Sequence, residues 1–216
     1  MREPADLHRA VAHYRELAPR YDHFTRRINA IRERTIAALA LRPGEIVLDA
    51  GCGTGWCLPR LARLVGRDGR VIGFDPSLDM LAVARDRFRP GADHPSVAAV
   101  DLIHASAEKV VLPMAVDAIL FSYTHDIIRS RAALENVLRQ AKPGARVAAT
   151  STKLYARWLA PANWYLRLSH RAYITNFDSF DAPWTLLATY LDEFQVRTGP
   201  MTQHYVATGR VRPQEA

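Results

Sequence analysis

Short apolar runs alternate with helical patterns through the first 150 residues of the chain. The runs are rich in Val, Ile and Leu and nearly continuous in apolar character, which is typical of strands covered on both faces. The predicted strands are residues 45–49, 70–75, 98–104, 116–122 and 146–150, and the predicted helices are residues 55–65, 78–88 and 132–141. We expect Lys142-Pro-Gly to form the turn before the last strand. This alternation predicts an α/β fold with a doubly wound parallel sheet.

Two helical segments precede the sheet, at residues 6–17 and 22–39. In the second segment, Phe24, Ile28 and Ile31 follow the i, i+4, i+7 spacing of one apolar helix face. We expect this face to pack against the rest of the domain, because an amphipathic helix buries its apolar side.

The end of the chain predicts a change of strand direction. Residues 154–173 are expected to be irregular or helical, and residues 183–191 to be helical. Residues 194–198 and 203–208 have the pattern of two strands, and the short connection between them permits only an antiparallel pair. With 216 residues and 49% hydrophobic content, the chain fits one domain. The predicted divisions are residues 1–41, 42–150, 151–192 and 193–210.

A glycine-rich turn follows the first predicted strand, in the run Val-Leu-Asp-Ala-Gly-Cys-Gly-Thr-Gly at residues 47–55. Such a turn lets a ligand approach the backbone and presents the N-terminus of the next helix. A dinucleotide site has the spacing G-x-G-x-x-G, whereas Trp56 stands here where its third glycine would be. Asp49 precedes the glycines, where its carboxylate could meet a cationic amino group. This spacing favours S-adenosylmethionine (SAM) over a dinucleotide.

An acidic residue ends the second predicted strand, because Asp75 follows Val71-Ile-Gly-Phe. In sheets of this class, an acidic residue at this position binds ribose hydroxyls. Both NAD and SAM contain a ribose, so Asp75 alone does not separate the two cofactors. Residues 75–77 also have the composition of a helix N-cap, and the two roles are compatible.

These motifs resemble the class I SAM-dependent methyltransferases, and the resemblance covers nearly the whole chain. The outer motifs at residues 18–22, 183–184 and 205–210 resemble two subgroups, the small bacterial phospholipid N-methyltransferases and the UbiE-like ubiquinone and menaquinone C-methyltransferases. The resemblance implies a Rossmann-like seven-stranded sheet of order 3-2-1-4-5-7-6 with the last strand antiparallel. It also implies a helical lid at residues 1–41 over a SAM-binding core at residues 42–150, followed by a substrate-side insertion.

The resemblance assigns contacts to particular residues. It places the methionine end of SAM over the glycines, its amino group near Asp49 and its ribose at Asp75. It places the adenine beside Met80, Ser106 and the Ala107 N–H, and here Ser106 replaces an Asp that is common in the family. The remaining implied residues are Gly51, Gly53, Gly55 and the lid residue Tyr21 for SAM, and Tyr14, Tyr123, Trp158 and Trp184 for the acceptor.

The chemistry expected of such a site is an in-line displacement from an activated methyl donor, with S-adenosylhomocysteine as product. His125 follows the fourth predicted strand, whose carboxyl end opens into the ligand crevice. Its imidazole is a candidate general base, or a loop histidine that only shapes the pocket. The remaining histidines have no metal-ligand spacing, so we predict no metal.

The charge distribution leaves two interpretations open. The net charge is +7, and residues 136–177 contain no acidic residue but carry seven Arg and Lys and interleaved aromatics. This run is either a solvated basic face or a surface for an anionic substrate or membrane. The chain has neither an apolar run of membrane-spanning length nor a signal-peptide stretch, which predicts a cytoplasmic protein with or without peripheral membrane contact.

Methyl transfer to an N or O atom of a small or amphiphilic molecule is the first functional hypothesis. Phospholipid amine methylation at a membrane surface and quinone C-methylation follow it. A nucleic-acid substrate is not expected, because the chain has Ser-Tyr-Thr-His at residues 122–125 instead of an Asn/Asp-Pro-Pro-Tyr/Phe motif. A non-catalytic SAM-binding protein is the alternative from another class. The oligomeric state is left open.

Overall fold

The computed structural model describes residues 21–88, 98–156, 159–170, 180–199 and 201–213. Its strands are β1 (Ile46–Ala50), β2 (Arg70–Asp75), β3 (Ala99–His104), β4 (Val116–Ser122), β5 (Ala141–Thr150), β6 (Leu191–Thr198) and β7 (Tyr205–Val211). The described helices are α1 (Tyr21–Phe24), α2 (Asn29–Ala38), α3 (Leu58–Val65), α4 (Leu78–Asp86), α5 (His125–Arg129), α6 (Arg131–Leu138), α7 (Ala160–His170) and α8 (Thr185–Ala188). A 3₁₀ turn at Arg26–Ile28 lies between α1 and α2.

All seven strands form one sheet, in the order β3-β2-β1-β4-β5-β7-β6. Strand β1 lies between β2 and β4 and pairs in parallel with both, Val47 lying opposite Val71 on one side and Ala118 on the other. Strand β7 runs antiparallel to both β5 and β6. The expected sheet order and the antiparallel last strand are therefore confirmed.

Helices cover both faces of the sheet. Neighbouring residues of a strand point to opposite faces, so each strand contributes side chains to both cores. Leu48 belongs to the core on one face, and Val47 belongs to the core on the other. The first core includes Ile127 of α5, Leu134 of α6 and Leu187 of α8, and the second includes Ile36 of α2, Leu61 of α3 and Leu81 of α4. Burial on both faces explains why β1, β2 and β4 are nearly continuous apolar runs.

The turn predicted at Lys142-Pro-Gly is wrong, because this segment lies inside β5. The pairing of β4 with β5 shifts there, with Val116 opposite Ala141 but Ala118 opposite Arg146. Gly144 takes a positive φ of 74° within this irregularity. The irregularity accommodates the Pro–Gly pair without ending the strand, since bulges are where sheets accept such residues. Because β5 begins at Ala141, the helix predicted at residues 132–141 ends earlier, at Leu138.

Other element boundaries also differ from the predictions. Helix α3 begins at Leu58, after the glycine turn and not within it, and α8 covers only Thr185–Ala188 because β6 begins at Leu191. The helix predicted at residues 22–39 is divided by the 3₁₀ turn. The segment predicted at residues 6–17 lies outside the described residues.

The apolar face predicted for the second N-terminal segment is not its buried face. Ile28 and Ile31 are only partly buried, and the side chain of Phe24 lies outside what the structure describes. The buried residues of α2 are Arg32, Thr35 and Ile36. A buried arginine at this position indicates a polar site beneath the helix, since buried charges are normally paired or bound to a ligand.

Candidate functional site

The glycine turn leaves β1 at the carboxyl edge of the sheet and leads into α3. Gly51, Gly53 and Gly55 all have positive φ, of 70°, 54° and 74°. A Cβ on Gly51 would lie 2.6 Å from Thr124 Cγ2, and one on Gly55 would lie 2.8 Å from Ala84 Cβ. A Cβ on Gly53 would meet no atom within 4 Å. Two glycines therefore permit packing of the turn, while Gly53 keeps an open space beside its backbone.

Asp49 has a buried carboxyl group that lacks a hydrogen-bond partner among the described residues. Its side chain is 1% exposed, and neither oxygen has a hydrogen-bond partner among the described residues. Burial raises the pKa of Asp49 to about 7, the Arg32 guanidinium acts to lower it, and the Asp75 carboxylate adds to the increase. Because buried carboxylates are costly without donors, this group marks a site for a ligand that supplies them.

Arg32 is the second charged group in this region. It is 5% exposed, and its guanidinium lies 5.3 Å from the Trp56 ring centroid and 5.7 Å from that of Tyr123. Its Nη1 donates to Thr25 Oγ1 at 3.4 Å, and its Nε has no partner among the described residues. The sequence did not identify this residue.

Asp49 and Arg32 together fit a zwitterionic ligand. Each has at least one polar atom without a hydrogen-bond partner among the described residues, and the Arg32 charge acts on the Asp49 carboxyl. An amino-acid end brings an ammonium for the carboxylate and a carboxylate for the guanidinium. The predicted role of Asp49 stays a prediction, and Arg32 is a second candidate for the same ligand.

Asp75 supports the glycine turn directly. Its Oδ2 accepts from the Gly53 N–H and its Oδ1 from the Ser77 N–H, both at 2.9 Å. Burial raises the pKa of Asp75 to about 6, although these two N–H groups act to lower it. The helix cap predicted at residues 75–77 is Ser77, whose Oγ accepts from the Met80 N–H at 3.3 Å. Each Asp75 oxygen retains a lone pair for a ribose hydroxyl, a role that stays a prediction.

The residues assigned to the adenine lie after β2 and β3. Met80 is buried in the first turn of α4, and Ala107 is buried after β3. The Ala107 carbonyl accepts from Asn136 Nδ2 at 2.9 Å, and the Ser106 carbonyl accepts from the Val110 N–H at 2.9 Å. Within the described residues the Ala107 N–H donates no hydrogen bond, and its contact with the adenine stays a prediction.

The N-terminal segment is attached to the glycine turn. Thr54 Oγ1 donates to the Asp22 carboxylate at 2.7 Å, and Arg87 forms an ion pair with the same carboxylate. Arg87 Nε also donates to the Thr54 carbonyl at 2.6 Å. These contacts place the start of the described chain beside the glycine turn, and the lid role of this segment stays a prediction. The side chain of Tyr21, and the whole of Tyr14, lie outside what the structure describes.

The residues predicted to contact the acceptor are aromatic, and two of them have side chains that the structure describes. Tyr123 follows β4, and its phenol oxygen lies 3.0 Å from His204 Nδ1. Trp184 packs edge-to-face on Tyr205, with ring centroids 4.7 Å apart. Trp158 lies outside the described residues. Sequence reasoning missed His204, because only the fold brings it near β4.

His125 is the first residue of α5, and its ring lies 5.9 Å from the ring of Phe180. Burial lowers the pKa of His125, while Asp126 acts to raise it. The imidazole is therefore neutral at neutral pH, as a general base must be. Its catalytic role stays a prediction.

No group of three or more His, Cys, Asp or Glu side chains is arranged to hold a metal ion in the described part of the chain, and the prediction that the protein uses no metal stays a prediction. None of the described helices has the length and apolar character needed to cross a bilayer.

Similarity to known sequences agrees with the site. A family model described as a methyltransferase domain matches residues 47–144. The ubiquinone/menaquinone biosynthesis C-methyltransferase UbiE of Vibrio cholerae is 30% identical over 154 residues, which are 68% of this chain and 58% of that protein. The 2-phytyl-1,4-naphtoquinone methyltransferase of Synechococcus elongatus is 35% identical over 143 residues, 62% of this chain and 59% of that protein. The chain thus spans less than two thirds of these relatives.

Solved structures support the fold. A SAM-dependent methyltransferase from Aquifex aeolicus aligns with a TM-score of 0.56 and 23% identity, over 83% of this chain and 88% of that one. The complex of DhpI with S-adenosylhomocysteine (SAH) aligns with a TM-score of 0.59 and 18% identity, over 96% of this chain and 97% of that one. At these identities the likeness concerns the fold alone.

Proposed function

Because the chain is a class I SAM-dependent methyltransferase, we propose that it methylates a ring carbon of a quinol that carries an apolar tail. The observation that carries this proposal is a group of aromatic contacts after β4 and in β7, where Tyr123 pairs with His204 and Trp184 packs on the buried Tyr205. Flat hydroxylated rings pack well against such side chains, whose few polar atoms can meet a hydroxyl.

The relatives support the same acceptor class. One carries the name of a ubiquinone and menaquinone biosynthesis C-methyltransferase, and the other that of a phytyl-naphtoquinone methyltransferase. We therefore place quinol C-methylation ahead of the N- or O-methylation that the sequence favoured.

The donor side fits SAM through its own residues. When bound, SAM supplies a methyl group already activated on a sulfonium. Asp49 accepts from the donor's ammonium, and Arg32 donates to its carboxylate. Gly53 leaves room for the donor against the turn, as expected from the open space at its Cβ position. Asp75 fixes the Gly53 N–H, and its spare lone pairs accept from a ribose hydroxyl.

The test uses SAM with a deuterated methyl group and a reduced naphthoquinol that has a prenyl tail and an unsubstituted ring position. We expect the label on the ring carbon, located by NMR after mass spectrometry of the product. A label on oxygen would contradict C-methylation. Tight SAM binding with no transfer to quinol, amine or phospholipid acceptors would favour a binding protein instead.

Helix α7 presents exposed aromatic side chains that can contact a membrane holding a tailed acceptor. Trp164 and Tyr165 are 68% and 69% exposed, and Leu168 is also exposed. Asn163 attaches the helix to the rest of the protein, accepting from the Tyr155 N–H at 2.8 Å. Residues 157–171 carry three arginines and no acidic residue. Aromatic residues beside cations are typical of surfaces that bind anionic membranes, so we assign peripheral contact to α7.

Flotation with anionic vesicles at low salt tests this assignment. We expect the wild type to float with the vesicles and the Trp164→Ser/Tyr165→Ser variant to float about tenfold less, because the apolar anchors are lost. The Val111→Ser/Met201→Ser variant is the matched control, since those side chains are 78% and 69% exposed elsewhere. Equal flotation of both variants would contradict the assignment. So would a dimer of the wild type that the α7 variant alone dissociates.

A further inference from the structure

A tyrosine and a histidine are paired at the carboxyl edge of the sheet. Tyr123 follows β4, and its phenol oxygen and His204 Nδ1 are 3.0 Å apart. The two rings meet edge-to-face, with centroids 5.9 Å apart. The distance is that of a hydrogen bond, which the neutral imidazole accepts from the phenol when its proton is on Nε2.

The backbone holds both residues firmly in place. Tyr123 has a φ of 63°, a left-handed conformation that is strained for a non-glycine residue. Its N–H donates to the Thr150 carbonyl at 2.8 Å. The His204 carbonyl accepts from Thr198 Oγ1 at 2.9 Å and from Thr202 Oγ1 at 3.1 Å. Strain that the surroundings maintain is typical of functional sites, and here it aims the phenol.

The phenol lies between the donor side and the acceptor side. On the donor side, the Arg32 guanidinium contacts the rings of both Tyr123 and Trp56, and its charge acts on the Asp49 carboxyl. On the acceptor side, His204 pairs with Tyr123 and the next residue, Tyr205, packs on Trp184. A phenol at this boundary can reach a hydroxyl of the acceptor while the acceptor's ring carbon faces the methyl group of SAM.

We infer that Tyr123 is a catalytic base for the acceptor hydroxyl and that His204 is the positioning residue that receives the proton through it. The inference rests on the proposed function, because it requires a hydroxylated ring as acceptor. The acceptor proton passes to the Tyr123 oxygen as the Tyr123 proton passes to His204 Nδ1. The pair thus provides a proton path that does not use His125.

The electrons and protons balance through the ring. As the hydroxyl loses its proton, the oxygen electron pair increases the electron density of the ring carbon, which bonds to the methyl carbon. The carbon–sulfur bond breaks, and its electron pair stays on sulfur. The methylated carbon then loses its own proton to water, and the acceptor oxygen regains one from the Tyr123–His204 pair. One proton is released overall.

The test compares Tyr123→Phe, His204→Gln and the wild type on a series of quinols of increasing hydroxyl acidity. With saturating SAM, we expect Tyr123→Phe to lower kcat by about 10²–10⁴-fold on the least acidic quinol, the range of general base catalysis. We expect His204→Gln to lower it by about tenfold. Both losses shrink as the quinol becomes more acidic, because a base matters less when the proton leaves easily. Tyr190→Phe is the control, since that phenol donates to Glu135 Oε1 and has no role in the proposed proton path.

Binding of SAM, measured by calorimetry, separates catalysis from structure. We expect the dissociation constant of both variants to stay within about twofold of the wild type. Losses that are equal across the whole series, or a loss of SAM binding, would assign the pair a structural role and overturn the inference. If the wild type methylates the quinols and Tyr123→Phe has the same kcat, this inference alone is overturned. Absence of transfer to any quinol by the wild type would overturn the proposed function, and the role of the pair with it.

Discussion

Replacing Asp49 by Asn is expected to weaken SAM binding by about 100-fold, because the amide loses the charge-assisted bond to the donor's ammonium. The same substitution is expected to stabilise the ligand-free protein. The pKa of Asp49 in the folded protein is raised to about 7, so its contribution to stability is full below its ordinary pKa of 3.8 and lost as the pH rises through 7. At pH 8 the buried carboxylate therefore destabilises the fold, and Asn relieves about 1–2 kcal/mol of this cost.

Calorimetry with SAH and urea unfolding at pH 8 measure the two effects. Asp117→Asn is the matched control. Burial acts to raise the pKa of Asp117, but hydrogen bonds from Lys142 and the Ile46 N–H outweigh it and lower the pKa. A lowered pKa stabilises the fold above the ordinary value, so this control loses stability at pH 8 and keeps its affinity for SAH. If Asp49→Asn also loses stability, or retains its affinity, the proposed role of Asp49 is wrong.

Replacing Gly53 by Ala is expected to lower SAM affinity by at least about tenfold while the protein stays folded. The added methyl would meet no protein atom within 4 Å, so it occupies the space assigned to the ligand. The positive φ of 54° alone costs about 1 kcal/mol of stability in alanine. Gly51→Ala differs, because its methyl would lie 2.6 Å from Thr124 Cγ2 and disturb the packing of the turn.

Gly144→Ala provides the control for backbone strain. Gly144 has a φ of 74°, has nothing within 4 Å of its Cβ position and lies in β5 away from the turn. We expect both alanine variants to lose about the same stability in urea unfolding, and only Gly53→Ala to lose affinity for SAH. Equal affinities of the two variants would show that Gly53 does not border the donor.

Local patterns predicted the central strands well, because burial on both faces leaves a continuous apolar run. The boundaries of β2 and β4 match the predictions at both ends. The pattern failed at Lys142-Pro-Gly, where a residue pair that usually ends strands lies in a bulge. Only the pairing with β4 determines that outcome, and pairing is not visible in a local window.

The donor motif could be predicted from sequence because its parts are contiguous, from Asp49 to Gly55. The residues that act together with this motif could not be predicted from the sequence. Arg32 lies in a helix beside several other arginines, and no local signal marks the one that is buried. His204 lies 81 residues from Tyr123, and the antiparallel return of β7 brings them together.

The run without acidic residues at 136–177 did not show which of its cations are paired. Arg146 forms an ion pair with Glu45, and Lys142 contacts Asp117 at 2.7 Å, so acidic partners come from distant parts of the chain. In sequence, residues 157–171 carry three arginines and no acidic residue. Helix α7, with its exposed aromatic side chains, lies within this segment. The membrane surface is therefore proposed for α7 and not for the whole basic run.

Proton release on binding is the most direct test of the claim that Asp49 receives the donor's ammonium. Below pH 7 the free protein carries a proton on Asp49, and the ammonium of the ligand displaces it. Titration with SAH near pH 6, in two buffers of different ionisation enthalpy, counts the released protons. The account predicts that the wild type releases about one proton more than Asp49→Asn. An equal proton count for the two proteins would contradict it.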